Sequence, residues 1–279
     1  MIKAVFTDLD RTLLKNNGTF SETNLRAMKV LAENNIKLII ATGRNILSAK
    51  KVLTIEHCFD YLMFSSGAGI IHWQTKEIIY ENHINKENTK KAIDILLKHD
   101  VDFMVHDIIP ENHKFYYWIH HLLPDFRRRI KLYNEFVQPL EFDRSPIEAT
   151  QLLAVLKQSE EKKFEKIKSE LEFVKVIRAT SPLDNRSIWL EIFPQNVSKG
   201  QSAEWLCREL GIEKNQTVGI GNDFNDVDLL EMTYKSYVVA NAPDELKQRF
   251  KVVASNEEDG FAEVVRKIHS NEQIMLALL

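Results

Sequence analysis

The sequence predicts an α/β fold: a Rossmann-like, doubly wound parallel-sheet core with a second α/β domain inserted into it. Three observations predict it. Short continuous apolar runs alternate with helical patterns at the start of the chain, as strands buried on both faces of a parallel sheet require. The same alternation resumes towards the end. Between the two stretches the character changes, with a polar, aromatic and histidine-rich block that fits neither.

The elements follow in order. AVFT (Ala4–Thr7) reads as a buried strand, and Ser21 to Asn34 as a helix with Ser21 at its N-cap. KLIIA (Lys37–Ala41) is a second buried strand, followed by a helix from about Asn45 to Leu53. YLMFS (Tyr61–Ser65) is a third strand. Gly67 and Gly69 break the pattern, and a hairpin is expected over Gly69–Trp73 and Glu77–Tyr80. In the middle block, helices are expected near Lys86–Lys98, His113–Leu123 and Ser159–Leu171. They alternate with strands near Asp102–His106, Leu152–Leu156 and Val174–Ala179. The core then resumes with a strand at Ser187–Ile192, a helix at Lys199–Leu210 capped by Ser198, and the strand TVGI (Thr217–Ile220). Later elements at Asp226–Met232, Tyr237–Ala240, Asp244–Phe250, Val252–Ala254 and Ala262–Ile268 complete it. The expected division is therefore a discontinuous core, residues 1–82 and 186–279, and an inserted domain, residues 83–185.

Composition narrows the function. The chain has 279 residues, enough for two domains, and 44% of them are apolar. Its 37 basic and 40 acidic residues give a formal charge of −3, which argues against a nucleic-acid or membrane-surface partner. Cys58 and Cys207 cannot form a disulfide framework and are expected as reduced, buried thiols. With no apolar run near 18 residues and no secretory signal, the expected location is the cytoplasm. A monomer is the default, since no apolar interface stripe stands out.

Four segments carry chemistry. In VFTDLDRTLL, Asp8 and Asp10 stand where the first strand ends, the place where open α/β sheets bind ligands. One carboxylate there can attack while the other moves a proton, because aspartate is a competent nucleophile towards phosphorus beside a metal. In LIIATGR, the Thr42 hydroxyl, the Gly43 amide and a helix N-terminus make an anion site that the Arg44 fork can reach. Lys199 opens a helix, where a cation opposes the dipole unless an anion such as Asp8 or a phosphate lies nearby. In VGIGNDFNDVDLL, the hard oxygens of Asn222, Asp223, Asn225 and Asp226 follow a strand and suit magnesium, while Asp228 falls further into the helix. The spacing does not fit an EF-hand.

In this order the four segments resemble the haloacid dehalogenase (HAD) superfamily, and within it the Cof-type sugar-phosphatase branch, over the whole chain. The resemblance implies a magnesium-dependent phosphatase acting on a small phosphorylated metabolite. It implies Asp8 as the nucleophile, Asp10 as the acid and base, and Lys199 as the third catalytic residue. Thr42, Gly43, Arg44, Ser66, Gly67 and Asn225 would face the phosphoryl group, and Asp8, Asp10, Asn222, Asp223 and Asp226 the Mg2+ ion. The inserted domain would be a lid over the crevice. Three departures stand out: Arg11 where glycine is usual, Asn222 where aspartate is usual, and Ser66-Gly67-Ala68 where Asn-Gly-Ala is usual. A phosphomutase of the same superfamily, and a non-catalytic binding protein on a degraded scaffold, are the competing readings.

In the inserted block, His106, Asp107, Glu111, Asn112, His113, Tyr116, Tyr117 and Trp118 are candidates to read a sugar. Packing of an aromatic helix face is the simpler expectation for Tyr117 and His121. Arg127, Arg128 and Arg129 are expected on a solvated face.

Overall fold

The computed structural model describes residues 1–54, 56–141, 147–181, 183–184 and 186–268. In chain order its strands are β1 (Ala4–Thr7), β2 (Lys37–Ala41), β3 (Tyr61–Phe64), β4 (Gly69–His72), β5 (Ile78–Glu81), β6 (Asp102–His106), β7 (Phe115–Trp118), β8 (Val137–Pro139), β9 (Gln151–Leu156), β10 (Lys175–Thr180), β11 (Ile188–Phe193), β12 (Thr217–Gly221), β13 (Lys235–Val239) and β14 (Lys251–Val253). The helices are α1 (Glu22–Glu33), α2 (Ile46–Ala49), α3 (Lys86–Lys98), α4 (Pro124–Leu132), α5 (Glu161–Glu170), α6 (Lys199–Leu210), α7 (Val227–Met232), α8 (Asp244–Arg249) and α9 (Gly260–Ile268).

Two compact units result: residues 1–80 with 198–279, and residues 81–197. The first is built on an eight-stranded sheet in the order β14-β13-β12-β1-β2-β3-β4-β5. From β14 through β3 the pairing is parallel, and β4 turns back antiparallel on β3. β1 is central, with β2 on one side and β12 on the other, and all four of its residues are buried. Ala4, Phe6, Ile39, Ala41 and Met63 face Ala203 and Leu206 of α6 and Leu229 of α7. The alternate residues Val5, Leu38 and Ile40 are equally buried, on the side where α1 and α9 pack. Helices on both faces explain why these strands are apolar throughout.

The second unit has its own six-stranded sheet, β10-β11-β9-β6-β7-β8. One face packs Phe103, Val105, Leu152 and Leu190 against Leu96 of α3 and Phe164 of α5. The other packs Met104, Leu153 and Trp189 against Phe126 of α4.

Three expectations are corrected. The stretch Ser187–Ile192 was assigned to the core, but β11 pairs antiparallel with β9 and β10, so the insertion runs through Val197 and not only to 185. The apolar run IWLEIF is a central strand of either kind of sheet by its sequence, and only its partners decide which. The helix expected at His113–Leu123 is instead strand β7, with FYYW antiparallel to β6. An aromatic run suits a pleated surface better than a helix, and the helix waits for Pro124 at its first turn. Between them, the Asp102 carboxylate accepts the backbone N–H groups of His120, His121, Leu122 and Leu123 at 2.7–3.0 Å, closing that turn. Finally, the helix after β2 is one turn, α2, capped by Asn45, whose side chain accepts from the Ser48 amide at 2.8 Å.

Candidate active site

The site forms where the C-terminal ends of β1, β2, β3 and β12 meet the first turn of α6. Asp8 follows β1 and is tied to β12 by its amide, which donates to the Ile220 carbonyl at 2.9 Å. Lys199 is the first residue of α6, behind the N-cap Ser198, and is fully buried. Its Nζ donates to Asp8 Oδ1 at 2.7 Å and to Asp226 Oδ1 at 2.5 Å. Burial alone would lower the lysine, and Asp226 and Asp8 together outweigh it and raise it above its ordinary value. A buried cation at a helix N-terminus is costly alone, and this one is paired twice.

Asp226 is completely buried. Its Oδ2 accepts the amides of Asn222 (2.8 Å) and Asp223 (3.1 Å), and Asp223 and Asp226 cap each other's turn reciprocally. Gly221 is needed for this fold-over, because a Cβ there would stand 2.7 Å from Asp226 Oδ2. Both Asp226 oxygens are thus engaged with Lys199 and the turn, so this residue braces the site.

Asp8 is the unbalanced member. Burial pushes its carboxyl up to about 7, against Lys199, with Asp226 and Asp10 adding to the rise. Its Oδ2 is buried without a hydrogen-bond partner. An orphaned carboxylate oxygen in such a place fits a bound cation.

The anion loop lies beside it. Thr42 donates its amide to Met63 O, accepts the Ser66 amide on its carbonyl (3.0 Å), and accepts the Arg44 amide on Oγ1 (3.1 Å). Gly43 converges with Ser66 and Asn225: a Cβ on Gly43 would lie 3.6 Å from Ser66 Oγ and 3.8 Å from Asn225 Nδ2. Ser65, Ser66 and Gly67 all take positive φ, a strained run of the sort found at functional turns. Gly67 also touches α6 closely, its carbonyl accepting from Ser202 Oγ at 2.7 Å. Arg44, expected on the phosphate, instead places its fork on Asp10, Nε to Oδ2 at 2.8 Å and Nη2 to Oδ1 at 2.6 Å.

The structure therefore brings together Asp8, Asp10, Lys199 and Asp226, and separately Thr42, Gly43, Ser66 and Asn225. Sequence reasoning missed Asn241, whose Nδ2 donates to the Arg11 carbonyl (2.9 Å), and Gly200, where a Cβ would meet Asp228 O at 2.3 Å. Gly200 directly follows the lysine, the one signal that could have marked it.

In the second unit, His106 is buried, with Nδ1 on the Asn112 carbonyl at 2.9 Å and its ring held down at about 3 by burial. His113 packs edge-on to Phe136. Arg127 and Arg128 are exposed, but the Arg129 guanidinium lies over Trp189 (4.8 Å) and Tyr133 (5.4 Å), unlike the solvated group expected.

Comparison with known proteins decides the family. A model of the haloacid dehalogenase-like hydrolases matches residues 5–265. The chain belongs to this family. The HAD chain is 25% identical over 301 residues to the 5-amino-6-(5-phospho-D-ribitylamino)uracil phosphatase YwtE of Bacillus subtilis, covering 97% of this chain and 99% of that one. It is 24% identical over 270 residues to the B. subtilis phosphatase YitU of the same name, covering 94% and 96%. Among solved structures it resembles the HAD subclass IIB sugar phosphatase BT4131 with a TM-score of 0.75 at 19% identity, covering 95% and 98%. These likenesses agree with the expected Cof-type HAD phosphatase, and with its doubly wound fold. Among the described residues no helix is long and apolar enough to cross a membrane.

Proposed function

We propose that this HAD phosphatase hydrolyses small phosphomonoesters, of the sugar- or polyol-phosphate class, with magnesium and through a phosphorylated Asp8. One observation carries the reading: a fully buried Lys199 joins Asp8 to Asp226, while the second Asp8 oxygen stays buried and unpartnered. A structural ion pair would satisfy that oxygen, whereas a nucleophile awaiting a cation and a phosphoryl group leaves it open.

The residues then take these roles. Asp8 attacks phosphorus as the bridging P–O bond breaks, and the leaving oxygen takes a proton from Asp10. Water next attacks the phosphoryl group, its proton passes to Asp10, and the Asp8–phosphate bond breaks to release inorganic phosphate. Lys199 holds Asp8 in line and offsets the charge that develops on the transferred group. The Thr42 hydroxyl, the Gly43 amide, Ser66 and Asn225 cradle the phosphoryl oxygens. Magnesium would be held by Asp8 Oδ2, the Asp10 main-chain carbonyl and an oxygen of the turn at Asn222, Asp223 and Asp226, and would neutralise the phosphoryl oxygens. The names of YwtE, YitU and BT4131 support a phosphorylated sugar or ribityl chain as the substrate class.

The test is phosphate release from a panel of sugar and polyol phosphates, with magnesium and with chelator, for wild type and Asp8→Asn. Turnover that needs magnesium and vanishes in Asp8→Asn is expected. Silence of the wild type across the panel would overturn the reading and favour the mutase or the binding protein.

A further inference from the structure

We propose that Arg44 is a positioning residue that holds Asp10 as the proton acceptor for the second half of this reaction; the inference rests on the phosphatase reading. The guanidinium grips both Asp10 oxygens, at 2.8 and 2.6 Å, and a third donor, Nη1, reaches the Ser48 carbonyl at 3.1 Å. Arg44 is itself anchored at both ends of its peptide unit, its amide on Thr42 Oγ1 (3.1 Å) and its carbonyl on the Ser65 amide (2.8 Å). Asp10 has no such anchorage. Among the described residues Arg44 is the only side-chain partner of its carboxylate, and the Asp10 side chain is one third exposed, at 33%.

A planar fork fixes the plane of a carboxylate as well as its distance. With both oxygens already accepting from the guanidinium, the remaining lone pairs face outward, where water can reach them. That arrangement suits taking a proton from the water that attacks phosphorus while the Asp8–phosphate bond breaks. Without Arg44, Asp10 loses its direction, and hydrolysis of the phosphorylated Asp8 slows. Formation of that intermediate continues from any ester whose alcohol departs without a proton.

The experiment is rapid mixing of p-nitrophenyl phosphate and magnesium with wild type, Arg44→Gln and Arg44→Lys, the last keeping the charge and losing the fork. Both variants are expected to give a nitrophenol burst approaching one per folded enzyme, then a steady rate at least about tenfold below wild type, part of the roughly 10²–10⁴-fold that a well-placed general base contributes. Their kcat and KM should fall together, leaving kcat/KM within about threefold, because only the step after the first irreversible one is slowed. A raised KM without a burst would make Arg44 a phosphate ligand. A loss of kcat/KM without a burst would make its role structural, and unchanged kinetics would leave it none; each overturns the inference alone. A wild type that releases no nitrophenol overturns it together with the phosphatase reading.

Discussion

At the scale of single residues, the three departures from the family pattern separate into different physical cases. Arg11 stands where glycine is usual, and the reason for glycine is visible: its φ is +60°, in the left-handed region. An L side chain pays roughly 1–2 kcal/mol for that conformation. The Asn241 amide, donating to the Arg11 carbonyl, helps hold it. Arg11→Gly is expected to raise stability by about 1 kcal/mol or less, since the entropy of an unfolded glycine offsets part of the relief. Urea denaturation with an unchanged m-value would check it, and a loss of stability would show that the arginine side chain compensates by contacts of its own. Ser66 is the second case: it sits in a positive-φ turn where a small polar residue replaces another. Asn222 is the third, an uncharged oxygen where the pattern has a carboxylate, beside an Asp223 that is committed to the turn.

At the scale of elements, the site depends on how closely α6 approaches the loop after β3. Gly67 has φ +101°, and a Cβ there would stand 2.7 Å from the Ser198 carbonyl and 2.7 Å from Ser202 Oγ. Gly67→Ala is expected to cost about 2–4 kcal/mol from backbone strain and overpacking together. Because it pushes on the residue before Lys199, it should lower kcat as well; a variant with wild-type stability would refute the fit. Little of this was legible in advance. The strands of the core and their motifs could be read because apolar runs and glycine punctuation are local signals. The Lys199 bridge to Asp226 could not, because it joins residues 27 apart in sequence through packing alone. Nor could the Arg44 grip on Asp10, since a guanidinium suits a phosphate and a carboxylate equally well. The middle block misled for a related reason: FYYW carries no period that separates strand from helix, and its partner β6 decides.

At the scale of the whole molecule, two units with separate cores should answer to different solutes. The orphaned Asp8 oxygen belongs to the first unit, so magnesium stabilises that unit by mass action. Chelator should therefore lower the calorimetric transition of the first unit in wild type and leave it unmoved in Asp8→Asn. Acid should weaken the second unit. His106 is held near 3 when folded and titrates near 6.5 when unfolded. Between those values the unfolded chain binds a proton that the folded one refuses, so stability is lost as pH falls from about 6.5 towards 3, by up to ~1.4 kcal/mol per pH unit. His106→Gln should flatten that slope. An identical slope in the variant would assign the acid sensitivity elsewhere.

The ends of the insertion meet. Asn82 Nδ2 donates to Asn196 Oδ1 at 2.9 Å across 114 positions of sequence. To the rest of the chain, residues 81–197 are therefore a short loop once they have folded, and closing it costs far less entropy than its length suggests. The benefit has an order in time. Asp8 leaves the ribosome 191 residues before Lys199, roughly 10–40 s at ordinary rates of synthesis. Through that interval β1 has β2 beside it but not β12, and its other edge stays open. An insertion that folds early and ties off its own ends shortens the search by which β12 finds that edge. A nascent chain arrested when residue 197 has just cleared the ribosomal exit tunnel should show the second unit folded and resistant to protease while β1 is still cut.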